Sequence, residues 1–285
     1  MDFLLANLVD GLLIGFIYGI AAMGLTLIFG VMDVINLAHG PIIALGMFSI
    51  YLLTTALGLH PYIALILVAV LGLLLGIVIY AIAVQRVIDA PHLSSLLATF
   101  SVNMIIIGLG TAAFSTAPYN LPFSLGKLTL GSVTLLGSRV VGALVALLVT
   151  AGLYFFLYRT RSGRYIRAVA NNRSAAELVG VPSNRILALS FGIGTMLAAL
   201  SGGIIATFFP FTILAGGTYE LKSFVIVVLG GLGNPVGALV GGLILGLIEG
   251  IIPTIMATTW VPVVEFVLFV LILLFRPSGL FGAKQ

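Results

Sequence analysis

Long apolar runs separated by short polar breaks fill this chain, at about residues 7–30, 36–57, 61–84, 93–116, 140–158, 187–213, 223–252 and 259–275. Each approaches or exceeds the roughly 20 apolar residues that a helix needs to cross a bilayer's hydrocarbon core. The runs are continuous, whereas the strands of a membrane barrel alternate in short segments. In lipid a helix satisfies its own backbone polar groups, so these runs predict helices. The expected fold class is all-α: a polytopic membrane protein of about eight hydrophobic segments, with broken or re-entrant helices in both halves. Residues 1–285 form one transmembrane domain, and the one sizeable polar stretch, about 159–186, forms a loop.

Composition sharpens this. Of 285 residues, 61% are hydrophobic and 7% charged, against about 25% charged in a soluble domain. So few charges cannot coat a water-exposed surface, which excludes a soluble enzyme, a nucleic-acid binder and a disordered scaffold. The absence of cysteine excludes disulfides, thiolate metal sites and thiol catalysis. The start, Met1-Asp2-Phe3-Leu4, lacks the basic stretch of a signal peptide and is expected to lead into a retained first span.

Charge placement gives an orientation. Six of the twelve basic residues, Arg159, Arg161, Arg164, Arg167, Arg173 and Arg185, fall in the 159–186 loop, which the positive-inside bias places in the cytoplasm. Counting back five crossings puts the N-terminus outside and Arg86 inside, with Lys127, Arg139 and Lys222 outside. Eight full crossings would leave Arg276 and Lys284 outside. A hairpin of two half-helices over 223–252, broken near Gly233-Asn234-Pro235, returns the tail to the cytoplasm. Proline lacks a backbone donor and disfavours helix in the residue before it.

Glycine spacing marks close helix packing. Gly11, Gly15 and Gly19 sit four apart, as do Gly233, Gly237 and Gly241, then Gly242, Gly246 and Gly250. Such spacing lines one helix face with small residues. An internal echo joins the halves: Gly40-Pro41-Ile42-Ile43-Ala44-Leu45 resembles Asn234-Pro235-Val236-Gly237-Ala238-Leu239, and each follows an irregular stretch. Interrupted apolar segments in matching positions point to a midplane site in transporters.

Polar residues inside spans are costly and so mark candidates. Glu249 is the acid expected within a span, either lining a path or pairing at an interface; Glu265, early in the last run, reads as interfacial. Asn36 and His39 lie at the first break, bonding freed backbone groups or facing a cavity. With Gly230, Gly231, Gly233 and Asn234 at the second break, they complete the substrate-path candidates. The three histidines lack metal-ligand spacing, and neither a catalytic constellation nor a cofactor motif is present. Asn172-Arg173-Ser174 matches a glycosylation sequon but falls on the cytoplasmic side. Gly126-Lys127-Leu128 is no phosphate-binding loop, so any ATP-driven role must rest on a partner.

The loop over 165–181 reads as a helix broken near Asn171-Asn172, with Ser174 as cap of the second piece, Glu177 completing a capping box, and Gly180 and Pro182 ending it. It is either an amphipathic segment held to anionic lipid headgroups or a short helix that fits a groove on a cytoplasmic protein.

Four elements together resemble a known family. They are Ile35-Asn36-Leu37-Ala38-His39-Gly40; Ser162-Gly163-Arg164 leading to Arg167-Ala168 and Ala175-Ala176-Glu177-Leu178-Val179-Gly180-Val181; Val228-Leu229-Gly230-Gly231-Leu232-Gly233 with Pro235-Val236-Gly237-Ala238; and Arg276-Pro277-Ser278-Gly279-Leu280-Phe281-Gly282. In this order they resemble the permease subunit of branched-chain amino-acid ABC importers, of the LivH-like type, over nearly the whole length. The resemblance implies a bacterial cytoplasmic (inner) membrane location and alternating access driven by two cytoplasmic ABC ATPases. It also implies a second related permease subunit and a periplasmic or lipoprotein substrate-binding protein. The ATPase-coupling residues it implies are Arg164, Arg167, Asn171, Ala175, Ala176, Glu177, Leu178 and Gly180. One departure stands out: Pro41 follows His39-Gly40 where glutamate is common, which leaves the substrate open among branched-chain or related apolar amino acids, amides and urea. The rival readings are an aquaporin-like passive channel, for which Asn234-Pro235-Val236 is a near match but Gly40-Pro41-Ile42 is not, and an ion-coupled secondary transporter, for which Glu249 is the one support.

Overall fold

The computed structural model describes residues 2–130, 133–276 and 278–282. Its helices are α1 (Asp2–Met32), α2 (His39–Leu57), α3 (Pro61–Ile79), α4 (His92–Phe114), α5 (Gly137–Arg159), α6 (Arg161–Asn171), α7 (Arg173–Leu178), α8 (Ser183–Ile205), α9 (Ala215–Gly230), α10 (Pro235–Ile255) and α11 (Val261–Phe275). One antiparallel pair, β1 (Lys127–Leu130) with β2 (Val133–Leu136), links α4 to α5. Among the described residues, eight helices are long and apolar enough to cross a membrane, α3 being extended by a π-turn and α11 by a preceding 3₁₀ turn. This is an all-α polytopic membrane protein.

Local chemistry sets the boundaries. Gly58, at φ 65°, ends α2 in the left-handed conformation. Pro61 opens α3 and Pro235 opens α10, where a missing N–H costs nothing. The expected run 187–213 stops at Ile205. Beyond it Pro210 interrupts, and Phe211 pairs backbone to backbone with Tyr119 at 2.8 and 3.0 Å. Its ring joins Phe48, Tyr51 and Tyr119, so these apolar residues serve an aromatic cluster and not a helix.

The expected break near Gly233-Asn234-Pro235 is present, but its arms are unequal. The first, α9, begins at Ala215 and has 16 residues; the second, α10, has 21 and is itself of spanning length. Gly231 and Gly233 take φ of 103° and 79°, conformations that disfavour any side chain. Asn234 caps α10, its Oδ1 accepting from the backbone N–H of Val236 and Gly237 at 3.0 and 3.1 Å.

The core lies around α8, which touches α1, α2 and α3 and has most of its residues buried. Lipid tails are as apolar as leucine, so association rests on close packing and buried polar contacts. Glycine provides the approach: Gly24 meets Gly194, Gly46 meets Ala199 and Gly202 meets Ile43, in each case against backbone. Two of the ladders interlock. Gly11 and Gly15 of α1 lie against Gly246, Gly15 and Gly19 against Gly242, and Gly11 also against Gly250 of α10.

The molecule has two dissimilar ends. One gathers α6, α7, the α9–α10 corner and the tail, whose Leu280 and Phe281 N–H groups donate to Leu229 and Gly230 carbonyls at 2.9 and 3.2 Å. Asn234 Nδ2 donates to the Phe281 carbonyl at 3.1 Å. At the other end Arg139 pairs with Asp10, and its guanidinium lies 5.5 and 5.0 Å from the ring centres of Phe208 and Phe209. Arg139→Ala leaves Asp10 partly buried without its cation, a loss of about 1–3 kcal/mol. A lower melting temperature in detergent is the expected outcome; unchanged melting would show that the pair contributes nothing.

Candidate functional site

Four helices bring charged and phenolic groups together inside the bundle. Lys222 on α9 pairs with Glu249 on α10, and its Nζ lies 3.6 Å from Glu265 Oε1 on α11. Tyr18 on α1 donates its hydroxyl to Glu249 Oε2 at 3.0 Å, and the Lys222 ammonium lies 4.9 Å from the centre of the Tyr18 ring. The side chains of Lys222 and Glu249 are each 15% exposed and that of Glu265 4%. Lys222 lies within α9 and not in a loop, and Glu265 is buried beside it. Both are drawn inward because each charge needs a counter-charge once removed from water. Two carboxylates share one ammonium.

A cavity of about 430 Å³ adjoins this cluster. Tyr18, Tyr219, Lys222 and Glu249 give it a polar side, and Phe209, Pro210 and Val261 give it an apolar one. Glu265 does not line it and sits behind Lys222.

The first break is a separate, drier place. Asn36 and His39 are fully buried. Asn36 Oδ1 accepts from the Ala38 N–H at 3.1 Å, and His39 Nε2 lies 3.0 Å from the Ala21 carbonyl oxygen. Asn103 Nδ2 donates to the Leu37 carbonyl at 2.5 Å, and Thr99 to that of Ile35 at 3.0 Å. Thus α4 satisfies backbone that the break leaves free. Asn36 Nδ2, His39 Nδ1 and Asn103 Oδ1 have no partner among the described residues. The echo does not extend into geometry: Asn234 caps α10, whereas its counterpart Gly40 lies inside α2, whose cap, Ala38, makes no side-chain hydrogen bond. Gly40 abuts Gly216 and Glu220 of α9, so the break touches the helix that carries Lys222.

At the second break, Gly230 packs on Gly237 and Gly231 on the tail, while Gly233 meets Gly30 of α1 and donates its N–H to Thr26 Oγ1 at 2.9 Å. The α6 helix closes on the same place. Arg167, Asn171, Gly30, Gly233 and Pro235 line one cavity of about 240 Å³.

The cap of α7 is Asn172, not Ser174: Asn172 Oδ1 accepts from the Ala175 N–H at 2.9 Å, leaving Ser174 within the first turn. Arg173 bridges Asp89 at 2.8 Å and Glu177 at 3.1 Å. Arg167 donates to the Leu157 carbonyl at 3.2 Å, and Ala176 is buried. Arg164, Ala175 and Glu177 face outward. Leu178 and Val179, 90% and 80% exposed, form an apolar tip ahead of Gly180, whose φ is 85°.

The structure thus brings Arg167 and Asn171 of the coupling candidates to the second break, leaves Asn36 and His39 apart, and sets Glu249 in a cluster of its own. Lys222, Glu265 and Tyr18 were not readable as partners of Glu249, because their contacts join residues far apart in the chain.

A family model described as the permease component of branched-chain amino acid transport systems matches residues 7–274. The chain belongs to this family. The permease is 32% identical to BraD, the high-affinity branched-chain amino acid transport system permease protein of Pseudomonas aeruginosa, over 99% of this chain and 96% of that one. Identity to the LivH permease of Escherichia coli is 28% over 99% and 97% of the two chains, and to a probable LivH of Methanocaldococcus jannaschii 26% over 76% and 71%. No solved structure matches the permease. It is a permease subunit of an ABC importer, and the channel and secondary-transporter readings are not favoured.

Proposed function

We propose that this permease forms the translocation path for branched-chain or related apolar amino acids, powered by two cytoplasmic ABC ATPases and paired with a second related permease. A periplasmic or lipoprotein binding protein delivers the substrate. The observation that carries the substrate reading is full-length similarity to two permeases named for branched-chain amino acids. The arginine-rich α6–α7 end faces the cytoplasm by the positive-inside bias, with the N-terminus outside and the tail inside.

In this reading α7 and its apolar tip seat in an ATPase groove. The α6 helix faces Gly233 and Gly30 across a shared cavity and packs on α1, so displacement of the ATPases is passed to the end of α1 and the α9–α10 corner beside it. Switching of such packed corners between two arrangements is the usual means of alternating access. Glu249 and the glycines of the second break lie along the elements that move, and Asn36 and His39 hold the first break. The permease itself breaks no covalent bond.

Co-purification in mild detergent, followed by ATP-dependent uptake of radiolabelled leucine, tests the proposal. ATPase subunits, a second permease and leucine uptake are expected. Recovery of this chain alone, or uptake of urea and not leucine, would overturn it. Glu249→Ala is expected to lower uptake more than Glu265→Ala, since Glu249 lines the cavity and Glu265 does not. Equal, negligible effects would remove Glu249 from the path.

A further inference from the structure

We infer that Lys222 and Glu249 form a binding site for the two charges of a zwitterionic amino acid, with Glu265 holding Lys222 in position. The inference rests on the amino-acid reading above and deepens it, because an uncharged amide or urea has no use for such a site.

The surplus carboxylate is the starting point. A buried ion pair needs one acid per base, yet Lys222 has Glu249 on one side and Glu265 on the other. The second carboxylate has a use if Lys222 has two alternating duties. With the cavity empty, Lys222 binds Glu249. When a zwitterion enters, its carboxylate takes the exposed side of Lys222 and its ammonium takes Glu249, while Glu265 stays behind Lys222. Charges then alternate in a row: Glu265, Lys222, substrate carboxylate, substrate ammonium, Glu249. Each charge of the zwitterion then faces an opposite charge, and Lys222 keeps Glu265 beside it when Glu249 turns to the ammonium. Tyr18, bonded to Glu249 Oε2 at 3.0 Å, holds that carboxylate in place through the exchange.

The cavity fits the rest of such a ligand. About 430 Å³ adjoins the two charged groups, and Phe209, Pro210 and Val261 face it with apolar surface suited to a branched aliphatic chain. Its walls come from the segment after α8, the start of α9 and the start of α11. They therefore lie at the end of α8 opposite α6 and α7, which is the side from which an importer receives its substrate.

The test uses the assembled importer in nanodiscs and a diazirine analogue of leucine as photoprobe. Labelling is expected on peptides holding Tyr18, Phe209, Tyr219 or Val261. Leucine should compete, whereas leucinol, lacking the carboxylate, and 4-methylpentanoate, lacking the ammonium, should not. A buried ion pair replaced as a unit by neutral groups of similar size is tolerated by a fold. The double variant Lys222→Met with Glu249→Gln should therefore assemble in normal amount yet lose labelling and leucine uptake at least tenfold. Uptake within twofold of the parent would show the pair to be structural only and overturn the inference, as would labelling confined to other segments. If the double variant fails to assemble, Tyr18→Phe decides: at least threefold weaker labelling is expected, and unchanged labelling overturns the site. Failure of the amino-acid reading looks different, since the parent importer would then take up urea or an amide and not leucine.

Discussion

With Glu177 replaced by arginine and Gly180 by tryptophan, ATP-dependent uptake is expected to fall at least tenfold while the permease remains in the membrane. Glu177 is exposed and tied to Arg173 at 3.1 Å, a surface pair that contributes about 0.3–0.5 kcal/mol. Gly180 has nothing within 4 Å of the place a Cβ would occupy, so a side chain there meets no part of this chain. Its φ of 85° makes any other residue costly by about 1–2 kcal/mol, confined to a surface turn. The two changes alter what α7 presents far more than how it folds. Leu178 and Val179 stand between them, and a bulky ring beside that tip prevents it from entering a groove. Uptake in vesicles with the ATPases present measures the effect, and immunoblotting of the membrane fraction measures the amount of permease. Undiminished uptake would remove α7 from the coupling contact.

Gly246→Leu is expected to be more damaging still and to act on the fold itself. A Cβ at Gly246 would collide with the Gly11 carbonyl oxygen and lie 2.6 Å from Gly15 Cα, so the obstacle is backbone that cannot rotate away. Overpacking typically costs about 1–3 kcal/mol, and a rigid neighbour puts this site at or beyond the upper end. Helices α1 and α10 would have to separate along the whole ladder. Gly108→Leu on α4 is the control, since nothing lies within 4 Å of its Cβ position. Size-exclusion profiles of both variants in detergent should show loss of the monodisperse peak for Gly246→Leu alone. Equal profiles would mean that the ladders do not hold α1 to α10.

Much of this architecture was legible in the residues. The spans follow from run length, and the ladders from spacing of four, because both are local properties of a helix in lipid. The break at Gly233-Asn234-Pro235 was legible because proline and left-handed glycine act on their own backbone. Less could be read where distant partners decide. Helix α9 starts at Ala215, in a stretch with Thr218, Glu220 and Lys222 that reads as a loop until Glu249 and Glu265 are seen to neutralise the lysine. The Ser174–Glu177 spacing points to Ser174 as cap, but Asn172 precedes it and its side chain takes the free N–H of Ala175. The aromatic residues after Ile205 looked like more span because hydropathy does not distinguish a ring facing lipid from one stacked on Tyr119.

The enclosure of α8 also governs the order in which the protein can be made. Its neighbours α1, α2 and α3 leave the ribosome first, with faces shaped for a helix that has not yet been synthesised. Gly24 and Gly46 then have no Gly194 or Ala199 to meet. The α1 ladder waits longer, until Gly242 and Gly246 are inserted. A nascent chain halted before Ser183 therefore holds a set of inserted but unclosed helices, and commitment to the final bundle belongs to the last third of translation.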